Sequence, residues 1–138
     1  MEVKKRGQIS TEYLIVVGFV TFLIASVLGL SLFYSSQIKD KIRFNQLQNF
    51  ANKVISSSEA VFFSGEPSRS TITAYLPSGV NGVNVLANEI VFNVSSSSGF
   101  TVISFLSDVP LYGGVSNSEG VKRILISANL TSITLGEG

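Results

Sequence analysis

Cysteine and histidine are both absent from the 138 residues of this chain. Structural zinc, thiol chemistry and histidine acid–base catalysis are therefore excluded, and no disulfide can staple any part of it. Charge is sparse as well. Charged residues make up 14% of the sequence, against roughly 25% in ordinary soluble domains. Much of the remaining surface must be Ser, Thr and Asn. Ten basic residues stand against nine acidic ones for a net charge of +1, and they form no long patch, so no nucleic-acid partner is indicated. Proline is rare, and none of the three occurs before Pro67. Whatever core the chain builds must hold by packing alone.

What the chain does have is a membrane-length apolar run. From Tyr13 to Ile38 no charge appears for 26 residues. As a helix that run would span about 39 Å at 1.5 Å per residue, whereas a bilayer core of roughly 30 Å needs only about 20 residues. It also exceeds the roughly 7–15 apolar residues of an ordinary secretory signal. Cleavage at Ala25-Ser26 would suit a small-residue signal site and is the weaker reading.

The helical signal continues past the run. Ile38, Ile42, Leu47, Phe50, Ala51, Val54 and Ile55 recur at intervals of three to five, with Lys39, Asp40, Lys41, Arg43, Asn45 and Lys53 on the polar side. With no strong breaker in the way, one nearly continuous helix is expected over residues 8–58. Ser56-Ser57-Ser58 and Gly65-Glu66-Pro67 are expected to end it, with 59–70 as a linker.

Residues 71–138 read as strands. Thr71–Leu76, Glu89–Val94, Phe100–Leu106, Val121–Ala128 and Leu130–Leu135 carry β-branched and aromatic residues, partly in alternation. Ser95-Ser96-Ser97-Ser98-Gly99 is expected to join two of them as a hairpin, and Pro77-Ser78-Gly79, Asn81-Gly82 and Tyr112-Gly113-Gly114 mark further turns. The expected fold is α+β: a long N-terminal helix, apolar in its first half, followed by a small antiparallel β-rich head built as a sheet or sandwich.

Few residues in the head invite chemistry. Glu59, Glu66, Glu89, Asp108, Glu119 and Glu137 are scattered without metal-ligand spacing, and the serines have no histidine base. No cofactor, metal or catalytic residue is expected. Lys122 and Arg123 are adjacent in a strand pattern and should face opposite ways as a solvated pair. Asn93-Val94-Ser95 and Asn129-Leu130-Thr131 are N-glycosylation sequons beside turns or strand ends.

The helix carries two more features. Glu12 is a lone carboxylate at the mouth of the apolar run, where a charge costs free energy unless something employs it. Thr11, Gly18, Ala25, Gly29 and Ser36 fall within about 20° of one line down a helix at 100° per residue. Small residues so placed let helix backbones approach closely in hydrocarbon, where no hydrophobic drive assembles helices.

The basic residues Lys4, Lys5 and Arg6, then Gly7, then Gln8-Ile9-Ser10-Thr11-Glu12-Tyr13 ahead of the apolar helix resemble the class III leader of archaeal type IV pilins. In that family Q-x-S-x-E-Y opens the mature protein, and here Gln8, Ser10, Glu12 and Tyr13 fill its fixed positions. The resemblance covers residues 4–36 and does not extend to the head. It implies that residues 1–7 are a leader, cut by a prepilin peptidase between Gly7 and Gln8 on the cytoplasmic side. It further implies an extracellular head, a helical homopolymer built through the N-terminal helix, a pilus assembly ATPase with its membrane platform, and surface adhesion. Glu12 would become the fifth residue of the mature chain and pair with a neighbour's new amine. If Gln8 cyclises to pyroglutamate that amine is lost, and a free backbone N–H at a helix start becomes the alternative. The partner of Glu12 stays open between the two. The alternative to a pilin is a single-span membrane-anchored surface protein that is never cut.

Overall fold

One helix, α1 (Val3–Phe63), spans 61 residues, and seven strands follow it. The computed structural model describes residues 10–138, together with the backbone of the helix from Val3. By internal contacts the chain divides into residues 1–38 and residues 39–138, and each is described by itself.

The second unit begins within α1. Leu47, Phe50, Ala51, Val54, Ile55 and Val61 are buried, and their spacing is that of one helical stripe. Ile38 and Ile42, expected on that stripe, are instead 57% and 51% exposed. The helix also runs past the three serines. Ser58 is buried and donates its hydroxyl to Val54 O at 2.7 Å, and Ser56 does the same to Lys53 O at 3.5 Å. Serines that bond back onto the preceding turn leave the backbone ladder intact. Gly65 (φ +80°) is the stop: its N–H reaches Phe62 O at 3.1 Å while Ser64 N–H reaches Ala60 O at 3.2 Å. The helix therefore ends at Phe63 rather than 58, and the connection to the first strand is shorter than 59–70.

The strands are β1 (Arg69–Leu76), β2 (Val80–Leu86), β3 (Glu89–Ser96), β4 (Gly99–Leu106), β5 (Leu111–Gly113), β6 (Gly120–Ala128) and β7 (Ile133–Glu137). They form a four-stranded sheet in the order β1-β6-β7-β5 and a three-stranded sheet in the order β2-β3-β4. All pairings are antiparallel except β5 with β7. The expected tetraserine hairpin is present, with Ser96 opposite Gly99. Strand β2 lies where Asn81-Gly82 reads as a turn: the register shifts between Val80 and Gly82, so these residues make a bulge inside a strand. Residues 129–132 form the turn before β7, with Asn129 N–H on Ser132 O at 2.8 Å, so the last strand starts at Ile133 rather than Leu130.

Both sheets and the helical stripe share one core. Phe92 at its centre meets Phe50 edge-to-face at 6.0 Å and Phe105 at 5.9 Å. Ala74, Leu76, Ile124, Ile126, Ile133 and Leu135 close it from the four-stranded sheet. Each fully buried Leu, Ile, Val or Phe contributes about 1.5–3 kcal/mol against exposure, so this cluster outweighs any polar contact in the head.

Two polar devices fix the edges of that core. The carboxylate of Asp40 accepts the Ser97 N–H at 3.0 Å, the Ser96 hydroxyl at 3.1 Å and the Ser97 hydroxyl. Beside it Arg43 Nη1 donates to Ser95 O at 2.7 Å, and the guanidinium lies across Gly79. The hydroxyl and N–H of Ser97, then Ser96 and the Arg43 charge, hold the Asp40 carboxyl below its ordinary value. At the other end Lys122 is buried at 6% exposure, against the expectation that it sits in solvent. Strand alternation turns it inward and Arg123 outward. Lys122 Nζ donates to Glu137 Oε1 at 2.8 Å and to the hydroxyls of Ser116 and Ser118. Glu137 also accepts the Ser116 N–H at 2.9 Å and the Ser116 hydroxyl at 3.1 Å.

The hydrogen bond from Lys122 first, then those from the Ser116 N–H and hydroxyl, lower the Glu137 carboxyl from 4.5 to about 2. A carboxyl held ionised more firmly in the folded than in the unfolded chain adds stability above its unfolded value. That stability is lost as pH falls from 4.5 through about 2. Glu137→Gln should destabilise the head at neutral pH by on the order of 1 kcal/mol, given screening of the part-exposed carboxylate, and should flatten the acid limb of its thermal-melting profile between those values. A separate test is Gly113, where φ is +111° and an added Cβ would lie 2.0 Å from Leu135 O. Gly113→Ala should cost at least about 1–3 kcal/mol from backbone strain alone, read as a lower Tm in circular dichroism.

Candidate functional site: the exposed apolar helix

The residues of α1 before the head present the feature that most needs a function. Sixteen large apolar side chains between Tyr13 and Tyr34 are exposed, among them Phe19 at 62%, Phe22 at 68% and Leu32 at 76%. Water-soluble surfaces do not carry apolar patches of that extent. Apolar side chains occur on every side of the helix, as expected of a segment buried in lipid or among other helices. By length and composition it is long and apolar enough to cross a membrane.

Its polar groups suit such a medium. Ser26 donates its hydroxyl to Phe22 O at 2.8 Å, and Ser36 donates to Phe33 O at 2.9 Å. Each hydroxyl is thus satisfied by its own helix, and the main chain is satisfied by the helical ladder. That is the condition for backbone in hydrocarbon.

The small-residue line of Thr11, Gly18, Ala25, Gly29 and Ser36 lies on this helix. A Cβ added at Gly18 or Gly29 would meet nothing within 4 Å, so the surface over both glycines is open to an approaching backbone. Ser10, Glu12 and Tyr13 are exposed at the head of the apolar run. No ion pair engages Glu12 among the described residues. Lys4, Lys5, Arg6, Gly7 and Gln8 belong to α1 by their backbone, and their side chains lie outside what the structure describes.

The two sequons are placed differently. Asn93 is exposed in the middle of β3, opposite Val102 on β4. Asn129 sits in the turn before β7, where its Oδ1 accepts the Leu130 N–H at 2.8 Å.

Sequence reasoning missed the Lys122 cluster. A lysine within reach of two serine hydroxyls could be mistaken for a nucleophile and its base. Here the three N–H bonds of the ammonium find three acceptors, one of them the Glu137 carboxylate. The group is held as a donor and joins the chain's last strand to the loop before β6. Its one legible sign was position, since Lys122 alternates with the apolar Ile124 and Ile126.

No family model, curated protein or solved structure matches the chain.

The division at Ile38 yields a test of where solubility is lost. Among the described residues, every buried core side chain belongs to residues 39–138. A chain of residues 39–138 should stay soluble without detergent and melt cooperatively, whereas the full chain should require detergent or lipid. Sedimentation with and without detergent reads the difference.

Proposed function

We propose that the chain is the precursor of a type IV-like pilin of archaeal kind, a structural subunit rather than an enzyme. One observation carries the reading. Gly7 and the run Gln8-Ile9-Ser10-Thr11-Glu12-Tyr13 stand directly before an apolar helix whose large side chains are exposed. Either alone is common, but together in this order they match a leader, a cut site and a polymerising helix.

On this reading the N-terminus is cytoplasmic and the head is outside. A prepilin peptidase cuts after Gly7, whose missing side chain leaves the backbone accessible and lowers the cost of unwinding α1 at the cut. Gln8 then opens the mature chain. An assembly ATPase and its membrane platform draw the helix from the bilayer, and equivalent helices pack in the filament centre. The exposed apolar surface supports this, because it suits hydrocarbon and a helix-lined core equally well. Gly18, Ala25 and Gly29 allow the helices to close on one another. With no proline between Gln8 and Ser58, the helix has no built-in site of unwinding and stays continuous on assembly. Glu12 enters a low-dielectric filament core, where a neighbour's amine or free helix N–H offsets its charge. Heads on the outside form the surface that adheres.

The N-terminus of the protein taken from its native cell decides between readings. Gln8 or its cyclised form is expected. Met1 retained would mean an uncut membrane anchor, and a start at Ser26 a secreted domain. Glu12→Ala should leave the cut intact and abolish filaments seen by electron microscopy. Normal filaments from that variant would remove the assembly role from Glu12.

A further inference from the structure

The head has one edge that is left open. The sheets end on four strands, β1, β5, β2 and β4. Natural edges are blunted by charge, bulges, short length or a covering group, since a bare row of N–H and C=O groups recruits further strands. Strand β1 carries Arg69, and Lys53 Nζ caps its Thr73 carbonyl at 2.6 Å. Strand β5 has three residues. Strand β2 is bulged between Val80 and Gly82, and Asn117 Nδ2 donates to its Asn81 carbonyl at 2.8 Å.

Strand β4 has none of these. Its eight residues, Gly99-Phe-Thr-Val-Ile-Ser-Phe-Leu106, contain no charge and no proline, and they pair with β3 without a register shift. Among the described residues nothing hydrogen-bonds to its free side. Phe100, Val102 and Leu106 stand 80%, 66% and 79% exposed on one face.

We propose that β4 is an interaction edge that pairs antiparallel with β4 of a second copy of this chain. Charge identifies the occupant. At its C-terminal end lie three carboxylates: Glu89 opposite Leu106, then Asp108, whose N–H is accepted by Glu59 Oε1 at 3.3 Å. At its N-terminal end Asp40 and Arg43 pair with each other at 3.4 Å and leave the exposed Lys41 unbalanced, beside a groove lined by Thr101 and Ile103. An antiparallel pair lays the acidic end of one strand against the basic end of the other, twice. The strand between bears no charge, so no like charges meet across the join.

A two-fold axis at Ile103 sets the register that covers the most apolar surface. Phe100 then opposes Leu106 of the second copy, Val102 opposes Ser104, and Thr101 opposes Phe105. The two three-stranded sheets become one of six strands. Such a contact is isologous and closes at two copies. In a filament whose subunits follow one screw operation, such a contact cannot link successive subunits, so it joins heads of different filaments. It does not rest on the pilin reading, because an uncut anchored chain presents the same edge.

A chain without cysteine makes the test clean. Full-length Val102→Cys and Ser104→Cys proteins, mixed in detergent micelles under mild oxidation, should form a covalent dimer at least about tenfold faster than Tyr75→Cys protein on the other sheet, because only opposed Cβ atoms satisfy disulfide geometry. Both substituted side chains are exposed, and circular dichroism checks that the head is folded. Raised salt should slow the cross-link, since the end charges are screened. Val102→Lys, placed in the Ser104→Cys partner, should slow it about tenfold. Cross-linking no faster than for Tyr75→Cys, a ladder beyond the dimer, or indifference to Val102→Lys would each overturn the proposal. The N-terminus of the native protein is read separately, so failure here leaves the pilin assignment untouched.

Discussion

The head depends on one stripe of one helix. Leu47, Phe50, Ala51, Val54 and Ile55 present a continuous apolar line to Phe92, Ile124, Ile126 and their neighbours in two sheets. Each sheet buries its apolar face against the other layers of this shared core. Helix and sheets therefore form together, and the helix is fixed in place by what it covers rather than by its own propensity. The same helix, a few turns earlier, offers side chains of the same kind with nothing among the described residues to receive them. That unmet apolar surface sets the medium in which the protein exists.

Polar contacts are few, and they sit where packing ends. Asp40 and Arg43 tie the start of the head's helical segment to the tetraserine hairpin, and Arg43 lies over the Gly79 turn. Lys122 and Glu137 join the last strand to the 114–119 loop. Both devices recruit serine hydroxyls and backbone N–H groups in place of further charges. A chain poor in ionisable residues can still satisfy each buried charge in this way.

Much of this was legible beforehand. The long helix, its apolar first half and the β-rich head follow from local period and composition, which tertiary contacts seldom reverse over so many residues. Leu47, Phe50, Val54 and Ile55 could be placed on a buried stripe because their spacing permits little else. Of the candidate site, the long apolar helix was legible, because its length and composition are linear patterns. Element ends were less so. Three serines in a row look like a helix stop, yet the hydroxyls of Ser56 and Ser58 fold back onto helical carbonyls. Asn81-Gly82 looks like a hairpin turn, yet strand β3 holds it in a bulge. Local chemistry allowed either outcome, and neighbours distant in sequence chose.

By itself, then, the sequence determined that the chain has a helix too apolar for water and a head that no disulfide can staple. It also determined that a lone carboxylate, Glu12, stands at the mouth of that helix's apolar run. Only the tertiary structure decided that Lys122 turns inward to meet Glu137, that β5 runs parallel to β7, and that β4 ends its sheet uncovered. The physical reason is range. Periodicity and composition act within a few residues, whereas strand order and the partner of a buried charge are set by pairings between segments that only the folded core brings together.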